Sequence, residues 1–145
     1  DTRNRAGALP LARFIPGIFQ TEVPAVARIL VVEDEDNIAI ALEFLLSREG
    51  HRHSRLAQGN AALDQIRALR PDLVLLDVML PDMSGYEIVE VIRADPSLAD
   101  VRVLLMTARG SVVERRKGLA LGADGFIAKP FELAELRAEM ARLLG

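Results

Sequence analysis

Four apolar runs in this sequence end on side chains able to do ionic chemistry. Ile29-Leu30-Val31-Val32 runs into Glu33-Asp34, and Leu73-Val74-Leu75-Leu76 into Asp77. Val101-Arg102-Val103-Leu104-Leu105-Met106 runs into Thr107, and Phe126-Ile127-Ala128 into Lys129. Singly, each has an ordinary structural use: Glu33-Asp34 as a helix cap, Asp77 as the start of a turn, Thr107 as a strand-end hydroxyl, Lys129 as a solvated charge. Together they oppose one another electrostatically. Two carboxylates about 4 Å apart repel by roughly 4 kcal/mol at an effective dielectric near 20. Three stay together only if a cation sits among them or protons are taken up. Hard oxygen donors, in a chain without Cys, favour Mg²⁺ over zinc or copper. Lys129 and Lys117 are the only lysines among 18 basic residues, so a compact ammonium is selected at 129 against an Arg background. A divalent cation, an ammonium and a hydroxyl converging on one Asp fit phosphoryl transfer, whose charged oxygens need such donors.

Convergence requires that the four runs be parallel strands of one sheet. Continuous apolar runs mark strands buried on both faces. Between them lie helical periods at Ile38, Leu42, Leu45 and Leu46; at Ala62, Ile66 and Leu69; and at Ile88, Val89 and Ile92. A last one holds Leu133, Leu136, Met140 and Leu143. Ser84-x-x-Glu87 and Ser111-x-x-Glu114 predict capping boxes, Gly50 and Gly122 predict helix ends, and Pro71 and Pro96 follow two further helices. The polar segment His51-Arg52-His53-Ser54-Arg55-Leu56 fills the slot of a fifth strand and belongs at a sheet edge. Alternating strand and helix predict an α/β fold of βαβ units, whose ligand sites form at the carboxyl edge of the sheet.

The composition narrows the function classes. With 145 residues, 50% hydrophobic and 27% charged, the chain makes one ordinary domain. A net charge of −3 argues against direct nucleic-acid binding, and 4% aromatics with no Trp supply no stacking platform. No apolar run is long enough to span a membrane. The expected setting is cytoplasmic. Residues 1–28 carry net +2 against −5 for the remainder, and Pro10, Pro16 and Pro24 break any strand or helix period there. Residues 1–26 therefore read as an extension or linker; Arg13, Pro16, Gln20 and Glu22 interrupt what a secretory signal would need as its apolar stretch. An opening Asp in place of Met reads as a fragment or processed product.

The chain resembles the receiver domain of two-component response regulators. The resemblance lies in Ile29-Leu30-Val31-Val32-Glu33-Asp34-Glu35, in Leu75-Leu76-Asp77-Val78-Met79-Leu80-Pro81-Asp82-Met83-Ser84-Gly85, in Met106-Thr107-Ala108, and in Gly122-Ala123-Asp124-Gly125-Phe126-Ile127-Ala128-Lys129-Pro130-Phe131. It implies a flavodoxin-like (βα)5 doubly wound parallel sheet of order 2-1-3-4-5 over residues 27–145. It also implies that Asp77 is the phospho-acceptor, that Asp34, Asp77 and the Met79 backbone carbonyl bind Mg²⁺, and that Glu33 reaches the ion through water. Lys129 would pair with a phosphoryl oxygen and Thr107 would move to bond another. Phe126 would turn inward with Thr107, and Lys129–Pro130 would be cis. Met79 and Arg109 occupy positions that tune phosphoryl lifetime in the family, and Arg109 is expected to screen the acyl phosphate from water.

The implied partners are a sensor histidine kinase or phosphotransfer protein upstream and an effector that the sequence does not name. The chain would be a monomer or a phosphorylation-dependent dimer, stand-alone or part of a larger regulator or hybrid kinase. Gly125 and Glu139 stand where one large DNA-binding branch of the family has Asp and Arg, which argues against that branch's dimer. Arg115-Arg116-Lys117 reads as a solvated helix face or a docking patch, and His51 with His53 as a geometrically possible metal pair. Two other function classes compete. A Mg²⁺-dependent aspartate-nucleophile phosphatase would resemble Asp-x-Asp, but Met79 stands at the second position. A passive interaction module would lack an acidic, Asp or Lys position, and none is missing. The expectation is a signalling switch, not an enzyme.

Overall fold

A computed structural model describes residues 26–145. The extension expected over residues 1–26 lies, but for Val26, outside the described residues. Five strands alternate with five helices: β1 (Arg28–Val32), α1 (Asp36–Arg48), β2 (Arg52–Leu56), α2 (Gly59–Leu69), β3 (Leu73–Asp77), α3 (Gly85–Ala94), β4 (Arg102–Thr107), α4 (Val112–Leu121), β5 (Gly125–Ala128) and α5 (Leu133–Leu144). A 3₁₀ turn at Pro96–Leu98, absent from the sequence expectation, follows α3. The sheet is wholly parallel, in the order β2-β1-β3-β4-β5.

Strand residues alternate between two cores because successive side chains leave opposite faces. Leu30, Val32, Val74, Leu76, Val103 and Leu105 pack with Ile66, Ile88 and Ile92 of α2 and α3. Ile29, Val31, Leu73, Leu75, Leu104 and Met106 pack with Leu42, Leu45, Leu136 and Met140 of α1 and α5. β2, with no fully buried residue, is the edge its polarity requires.

The helix punctuation holds with one exception. Ser84 forms a complete capping box with Glu87. Ser111 accepts from the Glu114 amide at 3.1 Å, but the Glu114 carboxylate does not return to Ser111; it accepts from the Tyr86 hydroxyl at 2.7 Å. A tertiary partner has outcompeted the local one. Gly122 ends α4 at φ 116°, and Arg70 ends α2 at φ 46° just before Pro71. The two His residues have separate employments. His51 Nδ1 accepts from the Ala27 amide, whereas His53 lies between Glu43 at 2.9 Å and Ser47 at 2.8 Å.

At the end of the sheet remote from the strand tips, Arg93 of α3 ties three segments together. Its Nε donates to the Gly122 carbonyl at 2.8 Å, and its Nη2 to the Val101 carbonyl at 2.8 Å and to Asp124 at 2.6 Å. The side chain is 23% exposed, so water replaces these bonds poorly. Arg93→Ala is expected to cost about 2 kcal/mol in urea denaturation. A change within the noise would show that the three bonds are offset by the cost of ordering them.

Candidate functional site

Parallel strands bring β1, β3, β4 and β5 to a common carboxyl edge, and two backbone bonds fix their ends beside one another. The Val78 amide donates to the Met106 carbonyl at 2.9 Å, and the Lys129 amide to the Thr107 carbonyl at 2.7 Å. The Lys129–Pro130 peptide is cis. Glu33, Asp77 and Thr107 are the buried polar residues of this edge, at 0%, 3% and 1% exposure.

Lys129 is the hub. Its Nζ donates to Glu33 Oε1 at 2.6 Å and lies 3.3 Å from Asp77 Oδ2 and 3.8 Å from Glu35. The other Glu33 oxygen accepts from the Glu35 amide at 3.0 Å, so the carboxylate of Glu33 is committed on both sides. Asp77 Oδ1 accepts from the Met79 amide at 3.1 Å. Asp34 is exposed on the rim. One oxygen each of Glu33, Asp34 and Asp77 lie within 4.8 Å of one another. Such a set of hard oxygens fits a divalent cation of the Mg²⁺ class, and Met79 lines the cleft beside Asp34.

Thr107 Oγ1 accepts from the Arg109 amide at 3.0 Å, which ties the hydroxyl to the start of the β4–α4 loop. Phe126 is already inside, at 3% exposure, in the space that Gly118 of α4 leaves beside Leu105 and Tyr86. A cleft of 580 Å³ opens from Asp34 and Thr107 along the β3–α3 loop to Tyr86, Arg109, Glu114 and Lys117. Lys117 lies 4.6 Å over the Tyr86 ring, so this member of the basic run folds back onto α3. Glu139 pairs with Arg142 at 2.9 Å.

Sequence reasoning missed two supports. Asp82 accepts from the Gly59 and Asn60 amides at 2.7 and 2.8 Å, capping α2 from the β3–α3 loop. That is a cap supplied across 22 residues or more, which no local motif encodes. Gly85, the last residue of a matched segment, lies against the strand: a Cβ there would meet the Asp77 carbonyl and sit 2.9 Å from Val78 Cα. Neither neighbour is a flexible side-chain end. Gly85→Ala is expected to lower stability by about 3 kcal/mol, read by urea denaturation, and an unchanged midpoint would mean that the loop yields freely.

The charges set the protonation. Burial pushes the Asp77 carboxyl up; the Met79 amide opposes this, Glu33 adds to it and Lys129 opposes it, leaving a value of about 6 against an ordinary 3.8. Burial works against the Lys129 ammonium, but Glu33 and Asp77 outweigh it and hold it above its ordinary value. For an acid raised on folding, the native state binds more protons than the unfolded chain between the two values, so stability falls as pH rises through that window. Without metal, Asp77 is therefore expected to remove about 2 kcal/mol between pH 4 and pH 7. Asp77→Asn should equal wild type near pH 4 and exceed it at pH 7 in chelator. Parallel stability curves for the two proteins would contradict the assignment.

Comparisons with known proteins bear on the family and the fold. The family model described as response regulator receiver domain matches residues 29–141. The DNA-binding response regulator MtrA of Mycolicibacterium smegmatis is 44% identical over 117 residues, which are 80% of this chain and 50% of that protein. The sensory transduction protein RegX3 of Mycobacterium bovis is 41% identical over 116 residues, with the same coverage. The chain thus spans about half the length of the curated relatives it matches. A crystal structure of a response regulator described as putative, from Chloroflexus aurantiacus, superposes with a TM-score of 0.78 at 34% identity, covering 83% of this chain and 98% of that one. The receiver domain of sensor histidine kinase PA1611 from Pseudomonas aeruginosa, solved with magnesium coordinated in its active-site cleft, gives a TM-score of 0.76 at 32% identity, covering 83% and 99%. The family model runs from β1 into α5, and the chain belongs to the response regulator receiver domain family.

Proposed function

We propose that Asp77 is the phospho-acceptor of this receiver, taking a phosphoryl group from a phosphohistidine of a sensor histidine kinase or phosphotransfer protein. The observation that carries this reading is a buried Asp77 carboxylate 3.3 Å from the Lys129 ammonium and within reach of two further acids. An Asp77 oxygen forms the new bond to phosphorus, the phosphorus–nitrogen bond breaks, and the departing imidazole takes up a proton. Asp34, Asp77 and the Met79 carbonyl would hold Mg²⁺, with Glu33 acting through water. When bound, the ion neutralises the acid cluster and the charge that develops on the phosphoryl oxygens. Lys129 meets one phosphoryl oxygen and Thr107 another, and Arg109 shields the product from water.

Transfer onto Asp77 and its slow hydrolysis are the only chemistry in this reading, and the output is conformational. Contacts from the phosphoryl group to Thr107 and Lys129 favour one packing of the β4–α4 loop, next to Phe126. Hydrogen exchange over residues 107–126 is expected to change on phosphorylation, and unaltered exchange would contradict the switch. A cytoplasmic setting suits a kinase-coupled domain, acting as a monomer or a phosphorylation-dependent dimer. Among the described residues no helix is long and apolar enough to cross a membrane.

The deciding experiment is intact mass after incubation with acetyl phosphate, with Mg²⁺ or with EDTA. A gain of one phosphoryl group that requires Mg²⁺ and decays over minutes or longer supports the switch. No gain under either condition supports a passive module. Steady release of phosphate with no accumulated adduct supports the phosphatase class, which Met79 disfavours.

A further inference from the structure

Asp34 is the one acid of the cluster whose side chain has no hydrogen bond or ion pair among the described residues. Glu33 is locked by Lys129 and the Glu35 amide, and Asp77 by Lys129 and the Met79 amide. The pose of Asp34 therefore depends on its backbone. That backbone is gripped from β2 by Arg55. Arg55 Nε donates to the Glu33 carbonyl at 2.8 Å, and Nη1 pairs with Asp36 Oδ1 at 3.0 Å. The Glu33 amide donates to the Leu56 carbonyl at 3.0 Å, so both backbone groups of Glu33 are tied to β2. The two Arg55 contacts bracket Asp34, one on the residue before it and one two residues after. Arg55 is 23% exposed, yet its Nη2 is buried with no acceptor. The planar fork offers its donors in fixed directions, so the contacts to the Glu33 carbonyl and to Asp36 together set its orientation.

We propose that Arg55 is a positioning residue for divalent-cation binding, holding the β1–α1 turn so that Asp34 faces Asp77. The proposal rests on the metal reading above. It gives a sign that simple electrostatics does not. If Arg55 acted only as a positive charge near an acidic site, removing it would tighten cation binding. If it acts by positioning, removing it weakens binding, as loss of a group supporting a metal ligand commonly does by about ten- to a hundredfold. Lysine separates the two, since it retains the charge but lacks the planar fork that reaches both acceptors.

The test is calorimetric titration of Mg²⁺ into the full chain, with melting temperatures in EDTA recorded alongside. The expected result is a Kd raised about tenfold or more in both Arg55→Ala and Arg55→Lys, with Arg55→Lys melting near wild type. A purely structural role would move the melting temperature and leave Kd in place. Binding by Arg55→Lys equal to wild type, or tighter binding by Arg55→Ala, would overturn the proposal while leaving the metal reading intact. Should Arg55→Ala fail to fold, Arg55→Lys alone decides. A wild-type chain that takes up no Mg²⁺ would overturn the metal reading and this inference with it.

Discussion

Asp77→Asn is expected to take up no phosphoryl group from acetyl phosphate while remaining folded and, near pH 7, more stable than wild type. The two halves of that result have one cause. The amide is close in size and shape to the carboxylate, so the packing at the end of β3 survives. It carries no charge, so the repulsion from buried Glu33 and the cost of burying Asp77 both disappear. What is lost is the oxygen proposed as the nucleophile. The neighbours do not replace it: Glu33 has both oxygens engaged by Lys129 and the Glu35 amide, and Asp34 lies exposed on the rim. A stable but unreactive variant separates a loss of chemistry from a loss of fold. Uptake at the wild-type rate, measured by intact mass, would place the acceptor elsewhere.

Lys129→Ala is expected to be among the most destabilising single changes at this edge, by about 3–5 kcal/mol near neutral pH without metal. Glu33 and Asp77 would then remain buried with no cation between them. Such a pair relieves itself by taking up a proton, so the penalty should shrink as pH falls towards 5. It should also shrink in Mg²⁺, which restores positive charge, and in the double variant Lys129→Ala/Asp77→Asn, which removes one of the opposing acids. That coupling is read from a double-mutant cycle by urea denaturation. Phosphoryl uptake should slow as well if, as proposed, the ammonium meets a phosphoryl oxygen. A Lys129→Ala chain of wild-type stability, insensitive to Mg²⁺, would mean that the acids are not compressed against one another.

The parts of this site that the sequence discloses are those encoded by local pattern. Each strand-tip residue is legible because it breaks an apolar run, and parallel strands align such breaks at one edge. The polarity of Arg52–Leu56 marks an edge strand for the same reason. The supports stay hidden because they act across the fold. Asp82 caps a helix that begins at Gly59, and Arg55 reaches from β2 to the β1–α1 turn; no periodicity links such positions. Glu114 shows the limit of motif reading, since its spacing from Ser111 promises a capping box but the Tyr86 hydroxyl captures its carboxylate. Strand order is a third case: alternating strands and helices allow several orders, and 2-1-3-4-5 came with the family resemblance.

The most direct test is chemical mapping of the modified side chain. After incubation with acetyl phosphate and Mg²⁺, borohydride reduction converts an aspartyl phosphate to homoserine at the residue that carried it. Peptide mass spectrometry should then find homoserine at position 77 and nowhere else. Phosphate retained on a Ser, Thr or His, or homoserine at position 34 with Asp77 unmodified, would contradict the account.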